Sequence, residues 1–155
     1  MTDARLAAWG QQLRLVHQRL RDGLRLAREA VEDGADPESI SGDVQLFCVG
    51  FCVALDGHHT SEDTSLFPIV LEQRPDLAPV VAQLKQDHSM LSHLIAELQH
   101  ALQNQADEES LLRHLDGIEA VMTTHFRYEE RRLVELLDGV EREGLDKRAL
   151  FGPLA

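Results

Sequence analysis

The chain has 155 residues, 43% of them apolar and 27% charged, with five Pro and ten Gly; that suits one domain with a real core and is too rich in Leu, Val and Ala for a disordered segment. Fifteen Lys and Arg stand against 27 Asp and Glu, a formal net charge of -12, and such a surface repels phosphate backbones, so nucleic acid is not an expected partner. Val44 to Leu55, the longest nearly uncharged stretch, is too short to span a bilayer, and the first residues lack the basic start and apolar run of a signal peptide, so the expectation is a cytoplasmic protein without membrane contact.

Leu, Ala, Glu, Gln and Arg dominate, aromatics are scarce and β-branched runs are short, a helical composition. Breaks fall at Gly34-Ala-Asp-Pro37, at Gln73-Arg-Pro-Asp76, around Asn104 to Asp107, and near Gly139 to Gly144. The first segment between them carries a seam of Trp9, Leu13, His17, Leu20, Leu24, Ala27 and Val31, and holds six Arg between Arg5 and Arg28 that are expected to pair with acidic neighbouring helices. In the second segment the seam is Cys48, Phe51, Leu55, His58 and Glu62; the two cysteines read as reduced core residues. The third has Leu84, His88, Leu91, Ile95, Leu98 and Leu102, with Asp76 as N-cap and Pro79 in the first turn. The fourth, capped by Asp107, has Leu111, Leu115, Ile118, Met122, His125 and Glu129. Alternating steps of three and four residues put each seam on one helix face. Short connections then make an all-α, up-down-up-down four-helix bundle over about residues 4–138 of a single domain spanning 1–155, with a C-terminal tail, 139–155, across one end.

Each seam contains one histidine. With about 1.5 Å of rise per residue, His17 lies about 24 Å before the first helix ends and His58 about 26 Å after the second begins. His88 and His125 stand about 26 and 27 Å from the loop joining the third and fourth helices. All four imidazoles therefore fall in one layer, and Glu62 and Glu129 lie one turn from two of them. Burying two nearby carboxylates costs several kcal/mol unless a cation neutralises them, and imidazole with carboxylate is a ligand set for iron, manganese or zinc. In His58-His-Thr-Ser-Glu62 and His125-Phe-Arg-Tyr-Glu129 the i, i+4 spacing lets one helix supply an imidazole and a carboxylate that spans two metals. His93, His100 and His114 fall off the seams and read as surface residues.

At these residues the sequence resembles the hemerythrin-like (HHE cation-binding) family. His17 in Leu15-Val-His-Gln-Arg-Leu20 is similar to the first-helix histidine, and His58 to Pro68, His-His-Thr-Ser-Glu-Asp-Thr-Ser-Leu-Phe-Pro, to the family's H-x-x-x-E-[ED]-x-x-L-F-P element. His88 in Gln86-Asp-His-Ser-Met90 resembles the third-helix ligand, and His125-Phe-Arg-Tyr-Glu-Glu130 the fourth. The resemblance covers about residues 10 to 138. It implies a non-haem di-iron centre, two Fe ions with Zn or Mn as alternatives, that binds or reduces O2, peroxide or nitric oxide.

One departure matters. Oxygen-carrying members place a second histidine four residues after the third-helix ligand, and here that position is Ser92; His93 is turned away by about 100°. His59 is the candidate substitute, since some relatives use a residue there as a ligand. Either it completes a set of five His and two Glu, or one metal keeps an open position. Asp63 and Glu130 can accept from ligand imidazoles, and Glu130 is the alternative bridge to Glu129. Tyr128 reads as packing or as a partner for a metal-bound oxygen, and Phe51, Leu55, Leu91 and Met122 as the wall of a dry pocket. The other functional reading is an iron or oxygen sensor, or an iron-storage module, acting through a protein partner without turnover.

Overall fold

The computed structural model describes residues 9–33, 37–139 and 146–155, with the backbone alone for 37–43 and 45. The expected break at 34–36, the first residues of the bundle including Arg5, and most of the break at 139–144 lie outside the described residues. Helix α1 is Trp9–Glu32 and α2 is Pro37–Ser61. A π-helical turn, Glu62–Leu66, joins α2 to α3, Phe67–Gln73. A 3-10 turn at Pro75–Leu77 leads into α4, Ala78–Gln103; α5 is Glu108–Asp138 and α6 is Lys147–Phe151. Among the described residues there is no strand, and no helix is long and apolar enough to cross a membrane.

Helix α1 packs on α2 and α5, α4 packs on α5, and α2 meets α4 more lightly, which closes a four-membered ring of antiparallel neighbours. Every residue of the four seams is buried. Each fully buried Leu or Phe among them contributes about 1.5–3 kcal/mol relative to exposure, which holds the bundle above and below the histidine layer. The closest approach is at Gly10, whose N–H donates to Asp138 Oδ1 at 3.0 Å; a Cβ there would sit 2.7 Å from the Val134 side chain.

Two local features differ from the expectation. Asp76 does not cap α4, whose N-cap position is Leu77; its carboxylate instead takes a bidentate pair from Arg74 at 2.7 and 2.8 Å, because the 3-10 turn runs straight into the helix and leaves Asp76 outside. The second segment is not one uniform helix. In the π turn the N–H of Phe67 donates to the carbonyl of Glu62, five residues back, just before Pro68, which has no N–H and whose ring crowds the carbonyl four residues earlier. The extra residue re-phases the chain so that Leu66, Phe67 and Val70 enter the core. Asp107 caps α5 as expected, accepting from Ser110 N at 2.8 Å.

The described part of the tail, residues 146–155, lies along the side of the bundle and not across one end. Leu150 and Phe151 are buried, Phe151 sits 5.8 Å from Trp9, and α6 packs on α2, on the π turn and on α1. Leu154 continues past Phe51 and Leu20, and its carbonyl accepts from Arg19. Two large apolar side chains find a groove between α1 and α2 there, level with the histidine layer.

Candidate metal centre

The seams bring six buried ionisable side chains to one level, and His59 joins them as a seventh. They form two overlapping groups whose ligand atoms lie within 4.8 Å of one another: His17, His58, Glu62 and Glu129, and His59, Glu62, His88 and His125. Glu62 belongs to both. Glu129 faces His17 at 3.0 Å through one oxygen and lies 3.6 Å from His125 Nε2 through the other. All seven residues singled out in the sequence as metal ligands are in these groups.

The outer nitrogens of the imidazoles are held from behind. His58 Nδ1 donates to the carbonyl oxygen of Phe151 at 2.6 Å. A carbonyl can only accept, so the proton is on Nδ1 and the lone pair of Nε2 points into the layer. His88 Nδ1 pairs with Asp63 at 2.8 Å, His125 Nδ1 with Asp87 at 3.0 Å, and His17 Nδ1 with Glu130 at 2.9 Å. Asp63 and Glu130 thus take the acceptor roles open to them in the sequence, and Glu129, fully buried, is the inward carboxylate of its pair. Asp87 and the Phe151 carbonyl were not anticipated. Asp87 adjoins His88 in Gln86-Asp-His as Asp63 adjoins Glu62, which is a usable signal; a backbone carbonyl has none.

Phe126 stacks on His17 with centroids 3.7 Å apart and planes 5° from parallel, and Phe67 lies parallel to His88 at 5.5 Å. These two rings are the nearest aromatic wall. Phe51, Leu55, Leu91 and Met122 are buried in the same core. Tyr128 is outside both groups and packs against the core. Cys48 and Cys52 are buried thiols, pushed up by burial to about 11 and about 12, the direction of inert core residues. His93 is exposed and pairs with Glu97 at 3.1 Å.

Inside the layer the polar atoms are poorly served. Burial drives His58 down to about 3 and His59 well below its ordinary value, so both rings are neutral. Burial and the charge of Glu129 push Glu62 well above the carboxylate range. Burial also opposes ionisation of Glu129, but the Glu62 carboxyl and the imidazoles of His17 and His125 outweigh it and hold Glu129 low. Burial lowers His17 as well, and Glu129 and Glu130 overcome it and leave the ring raised. Buried side-chain atoms with no hydrogen-bond partner include His58 Nε2, His59 Nε2, both oxygens of Glu62 and Glu129 Oε2. Each such atom costs about 1–3 kcal/mol, more when charged. All five belong to the two groups and are lone-pair donors, the inventory a divalent cation satisfies. His88 Nε2 and His125 Nε2 also face each other at 3.2 Å, each ring already directed to a carboxylate through Nδ1.

In comparison with known families, the sequence model described as the hemerythrin HHE cation binding domain matches residues 11–137. Neither the curated proteins nor the solved structures give a match.

Proposed function

The chain belongs to the hemerythrin HHE cation-binding domain family, and from that premise we propose that it is a non-haem di-iron protein that binds or reduces O2, peroxide or nitric oxide. His17 and His58 would hold one metal and His59, His88 and His125 the other, with Glu62 and Glu129 shared. The observation that carries this reading is the set of five unpartnered buried donor atoms converging on one layer.

The residues divide the work. Two carboxylates would offset half of the charge of two divalent ions in a place where bare charge is costly. Asp63, Asp87, Glu130 and the Phe151 carbonyl fix the orientations of His88, His125, His17 and His58, so those four rings present Nε2 inward before a metal arrives. Phe126 and Phe67 keep water from the imidazole faces. The His17–His58 group has two imidazoles and the other three; with both carboxylates shared, the His17–His58 position would have one protein ligand fewer and could take a small exogenous ligand. Iron bound here would supply the electrons that the diatomic or peroxide chemistry needs. Zinc and manganese accept the same donors, and availability in the cell decides between them.

Elemental analysis and an optical spectrum of protein from iron-replete cells test this. The expected result is close to two irons per chain and an iron-dependent near-ultraviolet band that changes with oxygen; less than one iron per chain, or zinc alone, would sink the proposal. The sensor reading draws on a different observation, the hydrogen bond from the centre to the C-terminal segment. Measuring peroxide and nitric oxide consumption separates a reducing centre from a sensor, which turns over neither.

A further inference from the structure

The C-terminal segment meets the centre at four points. The Phe151 carbonyl accepts from His58 Nδ1 at 2.6 Å. Gly152, with φ at +94°, lies so close that a Cβ would stand 2.7 Å from His58 Cα and 2.9 Å from its nitrogen. Pro153 covers Gly57, where a Cβ would meet the proline ring at 3.0 Å. Ser61 Oγ, one turn on, donates to the Arg148 carbonyl at 3.5 Å. Helix α6 also packs on the π turn that carries Glu62 and Asp63, but among the described residues no hydrogen bond from the segment reaches an imidazole of the other half, whose acceptors Asp63 and Asp87 come from the bundle itself.

We infer that residues 146–155 are a positioning strap for one metal alone, the His17–His58 one, and that docking of this strap and occupancy of that position stabilise each other. The inference rests on the two-metal reading above. The physical argument is the tautomer: with Nδ1–H held by a fixed carbonyl, His58 has one orientation and one available lone pair. When the strap is undocked, Nδ1 loses its buried acceptor, the ring is free to rotate, and its preorganisation for the metal is lost. Coupling of this kind is reciprocal, so a metal that needs His58 in place must also hold the strap down.

Gly152→Ala in the full chain is the direct test, because the left-handed backbone and the contact with the α2 backbone both exclude a Cβ without a shift of the strap. Titration with cobalt(II), whose electronic bands report each site, is expected to give two tight equivalents in the unaltered protein. The variant should keep one tight equivalent and bind the other at least tenfold more weakly. In the unaltered protein, cobalt loading should slow trypsin cleavage after Lys147 and Arg148 by a similar factor; this measurement needs no variant and stands if Gly152→Ala fails to fold. No cobalt in the unaltered protein would overturn the two-metal reading itself. Two equivalents bound, with cleavage after Lys147 unchanged by metal, would overturn the strap alone. Equal weakening of both equivalents in Gly152→Ala would also overturn it, since the strap would then be general scaffold.

Discussion

His59 stacks on His88, ring centroids 3.9 Å apart and planes 14° from parallel, although neither ring is in reach of the other by sequence spacing. The pair comes from adjacent segments of the ring, and it turns His59, a residue flanking its seam, into a buried member of the three-imidazole group. Its Nε2 has no hydrogen-bond partner.

His59→Ala is therefore expected to lose one of two metals while the His17–His58 position retains its own. His93→Ala serves as the matched comparison: its side chain is 67% exposed and pairs with Glu97, so metal content should hold and stability should change by no more than about 0.5 kcal/mol. Iron per chain and thermal melts of both variants decide the matter. Loss of metal in His93→Ala would require a different ligand set on α4.

Glu62→Gln probes the shared carboxylate. The amide removes both the cost of burying a carboxylate and the like-charge conflict with Glu129, which together push Glu62 up, so the metal-free variant should melt no lower than the metal-free unaltered protein. Metal binding should fall at both positions, because Glu62 belongs to both groups. Melts with and without metal would show the gain from loading shrinking towards zero; an undiminished gain would place the bridge elsewhere.

Chelation should lower the melting temperature yet leave most of the helix signal in far-ultraviolet circular dichroism. The metal binds the folded state far better than the unfolded chain, so removing it forfeits that linkage energy. The helices remain because Leu13, Leu20 and Leu24 on α1 and Leu91, Leu98 and Leu115 opposite are buried on both sides of the layer. Collapse of the helix signal on chelation would show that the apolar layers cannot hold the bundle alone.

The pH dependence of the metal-free protein follows from the same groups. His58, His59 and His125 are depressed in the fold, chiefly by burial, so the stability they contribute is present above their unfolded value, about 6.5, and is lost as pH falls towards their folded values. His17 and Glu62 are raised, so theirs is present at lower pH and is lost as pH rises through their folded values. Three depressed imidazoles outweigh Glu62 below about pH 6.5, and above it the raised groups act, joined towards about pH 9 by the raised thiols of Cys48 and Cys52. Urea midpoints of chelated protein should peak near neutrality and fall on both sides. A midpoint that climbs steadily from pH 5 to 9 would contradict the raised state of His17 and Glu62.

The helix faces were legible because side-chain direction along a helix is a local property: a 3.6-residue period decides which residues share a stripe before any helix meets another. Trp9 through Val31 on α1 and Leu84 through Leu102 on α4 are buried as their spacing implies. The histidine layer followed from rise per residue, and the family from the joint spacing of His17, the His58–Pro68 element, His88 and His125. Asp76 failed as a cap because capping depends on whether the preceding turn is already helical, which residue type does not reveal.

What the sequence by itself determined is the four amphipathic segments and the presence of too many buried ionisable groups at one depth. Only the tertiary structure decided how those groups divide: His58 with His17, His59 with His88 and His125, Glu62 between them. It also brought the Phe151 carbonyl to His58 across the chain, whereas the choice of Glu129 over Glu130 as the inward carboxylate was already favoured by the seam. These choices turn on rotations of a few tens of degrees between packed helices and on where a terminal segment finds a groove. Both are set by the summed fit of many distant side chains, and no local period encodes that sum.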